Sequence, residues 1–422
     1  MSKLPDLVLR PAALALLLAL GFGLVACDRL LTTAPDGGDL FDSPIDGLSP
    51  AELAAFVEGD AQFGRPFSPV QGLGPIFNNV SCASCHSGDG RGRPENALTR
   101  FSRGTDLALD EGGPQLQNQA IPGAEAEALP AGVDHSLRLP PPVFGVGLIE
   151  AIPEADIVAL EDPDDLNGDG ISGRANRVAP PAFLAAHGST AAIGRRVGES
   201  RAGGGGALVL GRFSRKAQVA SIFDQTVAAY HQDIGITTEF LPVENHNPLA
   251  SVATTIADRV ADPELGTPEV LAVVGYLRML APPTPGPLTG TRPRGREVFA
   301  TVGCAGCHVP SFRTGSAGIP ALSNRPVELY SDLLLHDMGE ELADHRPDGD
   351  ANGFEWRTAP LWGTRVMREF LNGQAFLLHD GRARSVAEAI SAHGGEAAAS
   401  RDAYRALSEA DRAALIDFVE SR

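Results

Sequence analysis

The chain has little cysteine, little aromatic mass and a shortage of positive charge. Its 422 residues include 5 Cys, 4 Tyr, 2 Trp and 4 Met, and aromatic residues make up 6%. Five cysteines are too few for a small disulfide-stapled scaffold. So thin a supply of rings leaves the apolar centre to aliphatic side chains or to something bound. Lys and Arg number 34 against 53 Asp and Glu, a net charge of −19. Such a surface repels phosphate backbones, which excludes nucleic acid as a partner, and attracts cations or basic proteins. After residue 26 no apolar run is long enough for a membrane span, and no sustained alternation demands a large sheet. What remains is ordinary globular composition, 43% hydrophobic and 21% charged, with 48 Gly and 33 Pro that imply long connections.

The first 26 residues read as an export signal. Lys3 and Arg10 precede an apolar run from Ala12 to Ala26, short for a span and of the right size for a signal-peptide core. The run ends in Leu24-Val25-Ala26-Cys27, which resembles the lipobox of bacterial lipoproteins, where the cysteine becomes the lipid-modified first residue. An ordinary signal peptide beside an unmodified Cys27 is the other reading. The expectation is a signal peptide over 1–26, a lipidated tether over 27–48, and a mature protein in the periplasm anchored to a membrane. Asp28 resembles an inner-membrane retention signal, which favours that membrane.

The other four cysteines fall in two matching patterns, Cys82-Ala83-Ser84-Cys85-His86 and Cys304-Ala305-Gly306-Cys307-His308. C-x-x-C-H is the attachment signature of c-type haem: two thiols add to the porphyrin vinyl groups and the adjacent His binds iron. His86 and His308 are the expected proximal ligands of two covalently bound haem c groups, with Cys82, Cys85, Cys304 and Cys307 as attachment points. Zinc would want its cysteine pairs about 15–20 residues apart, whereas 219 positions separate Cys85 from Cys304. A redox C-x-x-C would follow a strand, and none leads into either motif. Structural disulfides give no reason for His at both fifth positions. The flanks repeat as well, Phe77, Val80, Cys82 and Ala83 corresponding to Phe299, Val302, Cys304 and Ala305. The expected fold is mainly α, two cytochrome c-like haem domains with long loops, over 49–285 and 286–422. The proline cluster from Ala281 to Pro287 divides them.

Local signals place several helices. Ser49-Pro50-Ala51-Glu52 is a capping box with Pro at the first helical position. Leu148–Ile152, Val219–Tyr230, Pro268–Leu280 and the stretch from Ser408 to Phe418 read as further helices. Asp165-Leu166-Asn167-Gly168-Asp169-Gly170 has the alternating oxygens of a calcium loop, with Asp165, Asn167 and Asp169 as ligands, although Asn176 replaces the bidentate Glu at the twelfth position. An Asx-rich turn fits equally. Asp348 to Gly353 is a weaker pattern of the same kind and reads as a turn.

Together these residues resemble the bacterial di-haem oxidoreductases related to di-haem cytochrome c peroxidases and to the methylamine-utilisation di-haem enzyme. Within that group the chain resembles the peroxidase branch sometimes labelled thiol oxidoreductases. The resemblance runs from about Leu48 to the C-terminus. It is carried by Gly72-Leu73-Gly74-Pro75-Ile76-Phe77, by Tyr330 to Gly339, by Arg357-Thr358-Ala359-Pro360-Leu361-Trp362 and by Leu378-His379-Asp380-Gly381-Arg382. It implies that the N-terminal haem meets peroxide while the C-terminal haem is six-coordinate and handles electrons. The distal ligand of the latter, 14 residues beyond the His of the His-Asp-Gly motif, falls on His393, where relatives carry Met or Tyr; Met338 is the rival.

For the peroxide pocket the resemblance implies Gln225 and a carboxylate, Asp233, with Glu150 and Glu154 as alternatives and His231 and Arg212 as further lining. The carboxylate would move a proton between the peroxide oxygens, and a cation or donor would support the departing hydroxide. Relatives place a Trp between the haems; Trp356 or Trp362 takes that part here, or both are core aromatics. The function implied is that of an enzyme, a periplasmic oxidoreductase that reduces hydrogen peroxide with electrons from a small redox protein, a cytochrome c or a cupredoxin. A pure electron-transfer cytochrome, and an oxidase or oxygenase acting on an organic or protein substrate, share the same motifs.

Overall fold

Two pairs of crossed helices frame the molecule, and a glycine with a ring one turn later sets each crossing. The computed structural model describes residues 38, 40–86, 88, 90, 92–186, 208–251, 257–370 and 374–422; the expected signal peptide over 1–26 and Cys27 lie outside them. The helices that matter for the site are α1 (Pro50–Gly64), α2 (Cys82–Cys85), α3 (Ile222–Ala229), α4 (Thr267–Met279), α5 (Arg292–Thr301), α6 (Val386–Ala392) and α7 (Glu409–Glu420). Among the described residues every sheet has two strands, antiparallel throughout. Two of these are used below: β1 (Leu98–Ser102) with β2 (Asp134–Arg138), and β3 (Leu335–Asp337) with β4 (Glu355–Arg357). No helix among the described residues is long and apolar enough to cross a membrane.

Helix α1 starts at the expected capping box: the Glu52 N–H donates to Ser49 Oγ (3.3 Å) and the Ser49 N–H to the Glu52 carboxylate (2.7 Å). It crosses α4 at Gly59, where a Cβ would lie 2.3 Å from the Ala272 carbonyl oxygen and 2.6 Å from Tyr276 Cβ. Helix α5 crosses α7 at Gly295 in the same way, a Cβ there meeting the Ala414 carbonyl oxygen at 2.0 Å and Phe418 Cβ at 2.6 Å. Positions four apart share a helix face, so Phe63 meets the Tyr276 ring (5.5 Å) and Phe299 the Phe418 ring (5.6 Å). The two halves therefore repeat, but not in the register read from the flanks. Phe299 lies in α5, while Phe77 lies in the short strand Ile76–Phe77; its spatial counterpart is Phe63, because residues 65–81 are interposed before the first motif.

Apolar packing runs across the proline cluster: Phe144, Ile149, Phe223 and Tyr276 share one buried cluster with Leu329, Leu334 and Trp362. A second cluster joins Phe299, Tyr330, Leu415 and Phe418 around the C-terminal helices. The interior also holds a group of buried charges. Lys216 Nζ and an Arg138 guanidinium nitrogen each sit 2.6 Å from Asp344, and Arg346 sits 2.6 Å from Asp348. Burial pulls the Lys216 ammonium down to about 8 despite these carboxylates. Removing one member would strand the others.

Candidate active site

The first C-x-x-C-H motif opens on a cavity of about 310 Å³. Ser81 caps α2, its Oγ accepting the Ser84 N–H at 3.1 Å, and the short helix sets Cys82, Cys85 and His86 in the cavity wall. Burial pushes the His86 imidazole down to about 4, so it is neutral at pH 7 and has a lone pair to offer a metal. Its Nδ1 is sealed from solvent and has no hydrogen-bond partner among the described residues. Burial also raises the Cys85 thiol to about 11, the reverse of the low-pKa thiolate that disulfide chemistry uses. None of Cys82, Cys85, Cys304 and Cys307 is in a disulfide.

The same cavity is lined by Asp233, in a π-helical turn (Tyr230–Ile234) that continues α3; such turns re-aim side chains and recur at functional sites. Gln115 Nε2 donates to Asp233 Oδ1 at 2.5 Å. Burial raises the Asp233 carboxyl to about 6, with the Gln115 hydrogen bond and the Arg100 charge pulling the other way. Gln225 and Arg100 line the cavity too. Glu150 does not. Its carboxylate accepts the Ile222 N–H (2.9 Å) and pairs with Arg278 (2.7 Å), so it fastens the N-terminus of α3 to α4. Glu154 pairs with Arg177 outside the cavity (3.5 Å). Arg212 donates to the carbonyls of Ile149, Glu150 and Ile152, and His231 Nε2 contacts the Val243 carbonyl; neither lines the cavity.

The second motif opens on a separate cavity of about 220 Å³. His308 Nδ1 donates to the Tyr330 carbonyl at 2.8 Å, which leaves Nε2 for a metal, and burial lowers this imidazole to about 4 as well. Both distal rivals line this cavity. His393 closes α6 with Nδ1 donating to the Ala389 carbonyl (2.6 Å), and Met338 follows β3. His336, unassigned in the sequence reading, is clamped between Asp332 and Glu396, each at 2.8 Å, and these carboxylates hold it protonated.

The two cavities share a wall made of Pro142, Arg215, Arg357, Ala359, Pro360 and Trp362. Trp356 faces only the second cavity, stacked on His379 at 3.8 Å. A family model described as "Di-haem oxidoreductase, putative peroxidase" matches residues 31–104 and 124–422. The chain belongs to the di-haem oxidoreductases.

No curated protein matches it. Among solved structures the oxidoreductase is similar to Kuenenia stuttgartiensis hydrazine synthase, at 15% identity over 93% of this chain and 96% of that one, with a TM-score of 0.34. A likeness that slight carries no argument about fold or activity. The cavities themselves fit haem: each is largely apolar, each has a neutral buried imidazole beside its cysteine pair, and a buried Arg357 nitrogen in the common wall has no hydrogen-bond partner.

Calcium at the Asp165 loop is not shown. In the loop at Asp165, Asn167 and Asp169 the side-chain oxygens accept backbone N–H groups of Gly170, Asp169 and Ile171, forming nested Asx turns on the surface. Asp348, in the weaker pattern, is taken up by Arg138 and Arg346. The described residues gather carboxylates elsewhere, at Glu244, Asp258 and Glu264. Burial and mutual repulsion raise Glu244 to about 10.

Proposed function

We propose that this oxidoreductase carries two covalent c-type haems and reduces hydrogen peroxide at the N-terminal cavity, with electrons arriving through the C-terminal one. One asymmetry carries the reading. Among the described residues the first cavity is lined by a single imidazole, His86, and by no methionine, whereas the second contains His393 and Met338 beside His308. An iron on His86 would keep an open face for a small substrate, and an iron on His308 would be closed on both sides. The crossed helix pairs, each with a ring about 6 Å from the motif histidine (Phe63–His86 6.1 Å, Phe299–His308 6.3 Å), support cytochrome c-like haem domains.

When bound, haem iron supplies the redox-active Lewis acid needed to split the O–O bond. The chain supplies the rest. Asp233, ionised above pH 6, takes a proton from one peroxide oxygen and returns it to the other. Gln115 holds that carboxylate in place, and the Arg100 charge favours its ionised form and the departing hydroxide. Each turnover consumes two electrons and two protons and releases two waters. Trp362, in the wall common to both cavities, is better placed than Trp356 to pass electrons between them.

The acidic surface suits a small donor protein with a basic docking face, and we place the mature protein in the periplasm, held by lipid at Cys27. The test begins with acid–acetone extraction, which should leave two haems on the polypeptide. The half-reduced protein should then bind cyanide at one haem and consume peroxide. If it does neither, the electron-transfer alternative takes over.

A further inference from the structure

Among the described residues several buried cations are paired with carboxylates. Arg138 reaches Asp344 and Asp348, Lys216 reaches Asp344, Arg346 reaches Asp348, and Arg278 reaches Glu150, all within 2.7 Å. Arg212 has no carboxylate but is held by three carbonyl oxygens. Arg215 is held by the Leu139 carbonyl, to which two of its nitrogens donate. Half-buried Arg357 has a single such contact among the described residues. It lies in β4, its backbone N–H donating to the Arg215 carbonyl (3.0 Å), and its side chain faces both cavities. One guanidinium nitrogen donates to the Arg212 carbonyl (3.2 Å), while the buried Nε has no partner. Among the described residues no carboxylate lies within ion-pair distance; Asp332 is the acidic group whose charge offsets it.

A guanidinium stays charged inside a protein, and an enclosed unpaired charge costs several kcal/mol. With no carboxylate of the described residues beside it, this cation has room for an anion from the cavities. The carboxylate class fits a planar guanidinium best. We infer that Arg357 is the common counter-charge for one carboxylate of each haem, so that a single side chain binds both prosthetic groups at the partition and couples their redox states. The inference rests on the di-haem reading.

The test is a spectroelectrochemical titration of the purified holoprotein and its Arg357→Gln variant, after haem counting by pyridine haemochrome. With two haems present in both, removing the positive charge should lower both midpoint potentials, because each reduced iron loses an electrostatic stabiliser. Arg357→Lys should restore most of the shift. If one potential moves, Arg357 serves one cavity and the sharing is refuted; if neither moves, it is structural only. If Arg357→Gln does not accumulate, the Lys variant decides: its displaced charge should shift both potentials slightly in one direction, and unmoved potentials overturn the proposal. A small anion in place of haem carboxylates would make the wild-type potentials depend on chloride or phosphate concentration, which also overturns it. A wild-type protein without two haems would instead defeat the di-haem reading.

Discussion

Replacing Asp233 by Asn should trade activity for stability. Burial holds the Asp233 carboxyl near 6 against an ordinary 3.8, a difference of about 2 units, or about 2–3 kcal/mol. The sign follows from proton linkage. Below pH 3.8 the folded and unfolded chains both keep the proton, so the site costs nothing. As pH rises towards 6 the unfolded chain gives it up first, and above 6 the full cost falls on the folded state. Asn, of nearly the same shape, removes that cost. It should therefore stabilise the protein by up to about 2–3 kcal/mol at neutral pH and by nothing at pH 3–4. The same substitution removes the proton carrier, so peroxide turnover should fall by about 10²–10⁴ with both haem spectra kept. In the parent protein about nine tenths of Asp233 is ionised at pH 7 and about one tenth at pH 5, so kcat/KM should lose most of its value over that interval. Gln115→Leu, which deletes a hydrogen bond to the charged form, should push this acid limb up by about a pH unit. Stopped-flow kinetics from pH 4.5 to 8 with denaturant melts at pH 4 and 7 read both effects. Undiminished turnover in Asp233→Asn, or an acid limb unmoved by either change, would refute the assignment.

His393→Ala should convert a low-spin electron paramagnetic resonance signal to high-spin while the N-terminal haem signal stays put; if Met338→Ala does this instead, the ligand is the thioether. Gly295→Val puts side-chain carbon against the Ala414 carbonyl, where even a Cβ would lie at 2.0 Å. It should cost at least about 1–3 kcal/mol and loosen the C-terminal helix, read by thermal melts and by proteolysis near residue 409. Cys27→Ser should move the protein from the membrane fraction to a soluble or unprocessed form; unchanged fractionation argues against the lipid anchor.

Short spacings carried most of what the sequence determined alone. Each C-x-x-C-H motif puts two thiols and an imidazole within five consecutive residues, and each lines one cavity. The capping boxes and proline stops work at the same range, which is why α1, α4 and α7 lie where they were read. The tertiary structure decided everything that depends on closing long loops. Asp233 lines a cavity with a partner, Gln115, that is 118 residues away, whereas Glu150, equally acidic in sequence, is consumed by Arg278 of α4. The Asp165 loop has calcium spacing, yet its oxygens turn to their own backbone. Phe63 and Arg357 gain their roles only where helix α1 or strand β4 meets a distant segment. A one-dimensional pattern states what a side chain can do, and packing decides which cavity it faces and which neighbours have already claimed it.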